Sequence, residues 1–115
     1  MAKTVREQVS EIQSELNTAD LQPDRAAEML TILASLFGNC LDYIRGAETD
    51  YNKVLVLAYE TQQTANRAKL MAQSDPSYMV FREAQDTKLK IVEMMRSLKY
   101  FLRNKSEEYR AGAYQ

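Results

Sequence analysis

Few side chains of this 115-residue chain could perform acid–base, nucleophilic or metal chemistry. The sequence contains no histidine, one cysteine (Cys40) and only three glycines. Histidine is the commonest general acid–base group and a frequent zinc ligand, and three scattered glycines cannot form a phosphate-binding loop. The carboxylates show no pairing typical of acid–base catalysis. We therefore expect a non-enzymatic binding or assembly protein with no catalytic residues, no cofactor and no metal site.

The basic and acidic residues are distributed unevenly, although the formal net charge is only −1. Residues 1–60 carry 5 basic and 10 acidic side chains, whereas residues 61–115 carry 10 basic and 6 acidic ones. Between Lys88 and Lys105 there are six basic residues and one acid, Glu93. The C-terminal half is therefore the part of the chain that a polyanion would contact.

The basic residues of the C-terminal half follow a helical spacing. On a helix, a sector of about 80° contains Lys88, Arg96, Lys99, Arg103 and Arg110, and Tyr100 borders that sector. Cations beside aromatic rings are what a single-stranded nucleic acid needs, since the cations contact phosphates and the rings stack on bases. Two further basic residues, Arg67 and Lys69, precede these cations in the sequence. The predicted nucleic-acid contacts are Arg67, Lys69, Lys88, Arg96, Lys99 and Arg103.

Two other interpretations of these cations remain open. Exposed lysines and arginines are most often a solvated helix face, and cations near a helix C-terminus interact favourably with the helix dipole. Alternatively, the basic C-terminal half could dock onto the acidic N-terminal half of a neighbouring subunit. That arrangement would use the same residues without any nucleic acid.

Three helices are predicted, and no strand-like alternation is present, so the fold class is all-α. A short helix covers residues 4–17, where Thr4 and Glu7 have capping-box spacing. A long helix covers residues 23–73, either straight or bent near Gly46, and a basic helix covers residues 76–110 after the N-cap Asp75. We expect the two long helices to form an antiparallel, coiled-coil-like hairpin within one domain spanning residues 1–115.

The apolar stripe of the long helices is wider than one coiled-coil seam. Contiguous apolar surface of that extent usually marks a partner interface, and self-association is the simplest way to cover it. We therefore expect a homo-oligomer. The predicted interface residues are Leu30, Leu33, Phe37, Ile44, Tyr51, Val54, Ile91, Leu98 and Leu102.

No segment of the sequence is apolar enough to predict membrane insertion or secretion. The longest uninterrupted apolar run is Val54 to Tyr59, which is far shorter than a membrane span. The N-terminal residues lack the apolar core of a signal peptide. The expected location is the cytoplasm, with no membrane partner.

Two stretches resemble a known family. The first, RAAEMLTILASLFGNC followed by YNKVLVLAYETQQTANRAKLMA, is similar to a long helix that ends in a short basic motif. The second, DTKLKIVEMMRSLKYFLRNKSEEYR, is similar to a C-terminal helix. The family is that of the bacteriophage recombination mediator proteins (UvsY-type). Its members are small helical proteins that oligomerise, bind single-stranded DNA and help a recombinase displace the single-strand-binding protein.

The resemblance covers roughly residues 26–73 and 85–110. By position, Arg67 and Lys69 match the two cations of the family's Lys-Ala-Arg-Leu type motif, although the order here is Arg-Ala-Lys-Leu and no acid follows. The helix predicted over residues 4–17 has no clear counterpart. The resemblance implies DNA recombination in a phage-infected bacterial host, with single-stranded DNA, a recombinase and a single-strand-binding protein as partners.

Two further functional classes are compatible with the sequence. A helical adaptor, chaperone or inhibitor would hold a protein partner on its apolar face without binding nucleic acid. Its complex would be insensitive to charge and would depend on Phe37, Tyr51 and Leu55. A small enzyme or ligand-binding oligomer with a site between subunits is the third class, and the composition argues against it.

Overall fold

The computed structural model of the chain describes residues 3–18 and 20–113, and this part contains four α-helices and no β-strand. Helix α1 spans Val5–Leu16, α2 spans Pro23–Thr61, α3 spans Ala65–Gln73 and α4 spans Pro76–Ala113. The predicted all-α class is confirmed. No helix in the described part of the chain combines the length and apolar character that crossing a membrane requires.

Polar side chains and proline define the starts of the helices as the sequence predicts. The Thr4 hydroxyl accepts a hydrogen bond from the backbone N–H of Glu7 at 3.1 Å, which caps α1. Pro23 is the first residue of α2. At the start of α4, the Asp75 carboxylate accepts a hydrogen bond from the backbone N–H of Ser77 at 2.9 Å. Each acceptor satisfies an N–H group that has no partner within its helix.

The prediction of one helix over residues 23–73 is wrong, because that segment forms two helices. Helix α2 continues through Gly46 and ends at Thr61, and α3 begins at Ala65. The Thr64 hydroxyl accepts a hydrogen bond from the backbone N–H of Arg67 at 3.2 Å and caps α3. A threonine hydroxyl offers the backbone an alternative to helix continuation. A single glycine, by contrast, costs a helix only about 1 kcal/mol relative to alanine.

The chain forms two compact units. Unit 1 comprises Met1–Asn39 and Leu89–Gln115, and unit 2 comprises Cys40–Lys88. Because α2 and α4 contribute residues to both units, a single domain over residues 1–115 stays a prediction. The antiparallel hairpin, the coiled-coil packing and the oligomer also stay predictions.

The core of unit 1 consists mainly of large apolar side chains. Helix α1 contributes two residues, α2 four and α4 three. Met29, Leu33, Ile91 and Leu98 are fully buried. The Arg25 guanidinium also joins α2 to α1 through the Glu15 carboxylate at 2.9 Å. The buried apolar residues of unit 1 are Val9, Ile12, Ala26, Met29, Leu33, Leu36, Ile91, Met94 and Leu98.

The core of unit 2 consists of small side chains. One cluster joins α2 to α3 through three alanines, and Tyr51, Val54 and Leu55 pack against it. The Tyr51 ring lies 5.2 Å from the Tyr78 ring and 5.9 Å from the Phe81 ring, centroid to centroid, which connects α2 to α4. The buried residues of unit 2 are Cys40, Ala47, Ala58, Ala68, Ala72, Ala84 and Thr87.

Candidate nucleic-acid and subunit interfaces

The α4 segment of unit 1 brings three of the predicted DNA contacts to one helix face. Arg96, Lys99 and Arg103 are all exposed, and spacings of three and four residues place them side by side. Tyr100 is 65% exposed and lies one helical turn from both arginines. We call Arg96, Lys99, Tyr100 and Arg103 the basic row. The basic row combines three exposed cations with an exposed ring on one face of α4.

The ion pairs of the basic row are local and exposed. The Arg96 guanidinium lies 2.9 Å from the Glu93 carboxylate, and the Arg103 guanidinium lies 3.6 Å from the Glu107 carboxylate. Lys99 has no ion-pair partner within the described ranges. Exposed pairs of this kind contribute only about 0.3–0.5 kcal/mol. A phosphate group could therefore replace either glutamate at little cost.

Arg67 and Lys69 are both exposed, but they lie on different faces of α3. Neither side chain forms an ion pair with another residue that the structure describes. A separation of two residues on a helix corresponds to a rotation of about 200° about the helix axis. The two cations therefore point in different directions. Ala68, which lies between them in the sequence, is fully buried against α2. The short basic motif therefore does not present two cations to one ligand from one helix face.

Lys88 differs from the other predicted contacts because it is half-buried. Its positive charge acts on the buried Cys40 thiol, whose Sγ–H donates a hydrogen bond to the Ala84 carbonyl at 3.5 Å. Burial raises the pKa of Cys40, and Lys88 opposes that rise. Cys40 is thus a buried thiol. Lys88 is the least accessible of the six predicted contacts.

Three of the predicted interface residues are core residues of the chain itself. Leu33, Ile91 and Leu98 are fully buried in unit 1, which leaves them no surface for a second chain. Their assignment to a subunit interface is corrected for this reason: the chain's own helices cover that part of the stripe. The other six are half-buried, and their assignment stays a prediction. They are Leu30, Phe37, Ile44, Tyr51, Val54 and Leu102.

Unit 2 exposes large apolar side chains that the predicted interface omits. Val56 and Leu57 on α2 are 56% and 61% exposed, and Leu70 and Met71 on α3 are 70% and 54% exposed. The sequence carried a signal for the first pair. A helix cannot bury every side of an uninterrupted apolar run such as Val54–Tyr59, so some members must face away from the core.

The described residues contain no group of three or more His, Cys, Asp or Glu side chains placed to hold a metal ion. Two tyrosines of unit 2, Tyr51 and Tyr78, are half-buried, and burial raises the pKa of Tyr51, with smaller contributions from Tyr78 and Tyr59. No protein-family model, characterised protein or solved structure matches the chain.

Proposed function

We propose that the chain is a non-enzymatic protein that binds single-stranded DNA as a homo-oligomer and assists the loading of a recombinase. The basic row on α4 carries the DNA-binding part of this proposal. Three exposed cations flank an exposed tyrosine on one helix face, and no buried group has to move to free them. The sequence resemblance to the phage mediators supports the recombination part.

The chemistry of the basic row suits a strand without sequence preference. Guanidinium and ammonium groups neutralise phosphates and release their counterions, which makes affinity fall steeply with salt. A base stacked on an exposed aromatic ring contributes about 1–3 kcal/mol whatever its identity. The role of the protein would be to hold the strand along an assembly and present it to the recombinase, with no bond made or broken.

Removing the cations of the basic row tests the proposal. We expect the triple variant Arg96→Ala/Lys99→Ala/Arg103→Ala to bind fluorescent oligo-dT at least tenfold more weakly at about 50 mM salt. The slope of log affinity against log salt should fall by about 2, since each single-strand phosphate contact contributes about 0.7. Fluorescence anisotropy between about 50 and 200 mM salt measures both quantities.

A matched control distinguishes the loss of the basic row from a general loss of positive charge. Arg45→Ala/Lys53→Ala/Arg82→Ala removes three exposed cations from unit 2 and should leave affinity within about threefold. Tyr100→Leu should weaken binding while Tyr100→Phe keeps it, because only the phenylalanine retains a ring. Equal losses in the two triple variants would reject the basic row as the site. A wild-type chain that does not bind oligo-dT at about 50 mM salt would reject DNA binding altogether.

The exposed apolar side chains of unit 2 favour a second candidate function, a helical module that holds a protein partner as an adaptor, chaperone or inhibitor. The half-buried Phe37 and Tyr51 offer such a partner less surface than Leu57 and Leu70 do. A complex of this kind should persist at about 500 mM salt, where a DNA complex held by phosphates dissociates. Persistence of a purified heterologous complex at that salt, together with absent DNA binding, would favour this candidate.

A further inference from the structure

The outward faces of α2 and α3 in unit 2 leave apolar surface that the chain does not cover. Val56, Leu57, Leu70 and Met71 are each more than half exposed. Apolar side chains grouped on an exposed face usually mark an interaction surface.

The two faces carry matching patterns of apolar and charged residues. On α2, Val56 and Leu57 are followed by the exposed Glu60, four and three residues later. On α3, the exposed Arg67 precedes Leu70 and Met71 by three and four residues. Spacings of three and four keep each set within a sector of about 100°.

The two patterns match only when α2 and α3 run in opposite directions. Along α2 from N- to C-terminus, two apolar residues precede the acid Glu60. Along α3 from C- to N-terminus, two apolar residues precede the cation Arg67, with the same spacing. Antiparallel packing therefore joins the apolar pairs and brings Glu60 to Arg67 in the same step, whereas parallel packing would separate the charges. Neither Glu60 nor Arg67 has an ion-pair partner in the described part of the chain.

We propose that these faces form a two-fold interface between two copies of this chain, in which the end of α2 packs antiparallel against α3 of the partner. This inference deepens the homo-oligomer part of the proposed function and rests on it. Glu60 pairs with the partner subunit's Arg67, and in a two-fold dimer the reciprocal pair forms as well. Arg67 thereby belongs to the subunit contact, while Lys69 on the other face of α3 stays free for a strand.

Exchanging the two charges tests the pairing. Glu60→Arg and Arg67→Glu each place like charges together twice per dimer, and we expect each to raise the dimer dissociation constant at least tenfold. The double variant Glu60→Arg/Arg67→Glu restores opposite charges and should return that constant to within about threefold of wild type. Sedimentation velocity over a concentration series without DNA measures all four chains, and circular dichroism checks that each is helical.

The matched control is Lys69→Glu, which reverses the other exposed cation of the same helix. It should leave the dimer dissociation constant within about threefold of wild type, because Lys69 lies about 200° from Arg67 around α3. A double variant as weak as its single parents, or a Lys69→Glu effect equal to that of Arg67→Glu, would overturn the pairing. So would a wild-type chain that stays monomeric at all concentrations tested.

Disulfide cross-linking tests the same pairing without relying on the dimer dissociation constant. Chains carrying Glu60→Cys and chains carrying Arg67→Cys are mixed and oxidised, and the mixed disulfide should form faster than disulfides between like variants. Disulfides require Cα atoms about 4.4–6.8 Å apart, so the reaction reports direct apposition. The natural Cys40 is buried and does not compete. Preferential cross-linking between like variants would overturn the antiparallel arrangement.

The outcomes for DNA and for self-association can be told apart. If the charge-exchanged double variant dimerises and binds oligo-dT as wild type does, both proposals stand. If it dimerises while the basic-row triple variant binds DNA like wild type, the interface stands and the DNA site fails. If oligo-dT binding depends on the basic row while the double variant stays monomeric, the interface fails and DNA binding stands.

Discussion

The cores of unit 1 and unit 2 differ in the size of the side chains that they bury. Unit 1 encloses leucine, isoleucine and methionine, whereas the fully enclosed apolar positions of unit 2 are alanines and Cys40. The exposed positions show the reverse. Among the described residues, eight large apolar side chains are exposed in unit 2 and four in the longer unit 1.

Small core residues limit the stability that a helical unit gains from its own core. Alanine lets helix backbones approach closely but buries little apolar area, and buried area is the main favourable term in folding. Unit 1 can therefore draw its stability from its own core. Unit 2 keeps much of its apolar surface outside, where a partner could cover it.

The largest effect is expected from a cavity in unit 1. Leu98→Ala removes a fully buried side chain of α4 and should lower the free energy of unfolding by about 2–5 kcal/mol. Leu89→Ala is the matched control, because Leu89 lies on the same helix and is 62% exposed; its effect should stay within about 0.5 kcal/mol. Urea denaturation measures both. Similar losses in the two variants would show that unit 1 does not depend on its large core residues.

An intermediate effect is expected from enlarging an alanine in unit 2. Ala72 is fully buried in the cluster that joins α3 to α2, so Ala72→Leu should force the helices apart and cost about 1–3 kcal/mol. Ala65→Leu places the same side chain at an exposed position of α3 and should change stability by less than about 0.5 kcal/mol. Urea denaturation compares the two variants. Stabilisation by Ala72→Leu would mean that the alanine cluster is loosely packed.

The sequence predicted the helical class and most helix starts because those features depend on local chemistry. Thr4, Pro23 and Asp75 act within one helical turn of the helix start, so their spacing alone is informative. The break at residues 62–64 was missed because a threonine that caps a new helix looks the same in sequence as one on a helix surface. Gly46 was the expected weak point, and the structure shows that helix packing tolerates it.

The interface residues were harder to predict than the helices. Periodicity identifies an apolar stripe, but it does not say whether the chain's own helices or a second chain will cover it. Leu33 and Leu98 were assigned to a partner for that reason, and they lie in the core of unit 1. Helix phase identified the cations of the basic row, but it did not predict that Lys88 in the same sector is half-buried. The divergence of Arg67 and Lys69 also follows from helix phase, once α3 is recognised as a separate helix.

The smallest expected effect concerns the caps of the two units. In unit 2, the hydrogen bond from the Ser77 backbone N–H holds the pKa of Asp75 below its ordinary value of 3.8. Since the folded pKa is the lower one, the contribution of Asp75 is complete above the unfolded value and is lost as pH falls through the folded value. Asp75→Asn keeps an acceptor oxygen and removes only the charge. We expect its urea midpoint to lie slightly below that of wild type at about pH 7 and to converge with it as pH falls through the folded pKa of Asp75.

The corresponding cap in unit 1 provides the control. Thr4 caps α1 with an uncharged hydroxyl, so the difference between Thr4→Ala and wild type should not change over the same pH range. Hydrogen exchange resolves which helix start responds, because the Ser77 amide should lose protection in acid only in the wild-type chain. A gap between Asp75→Asn and wild type that stays constant throughout the acid titration would show that the carboxylate acts through its geometry and not its charge. The cap of α4 would then act in the same way as the uncharged hydroxyl caps of α1 and α3, which Thr4 and Thr64 provide.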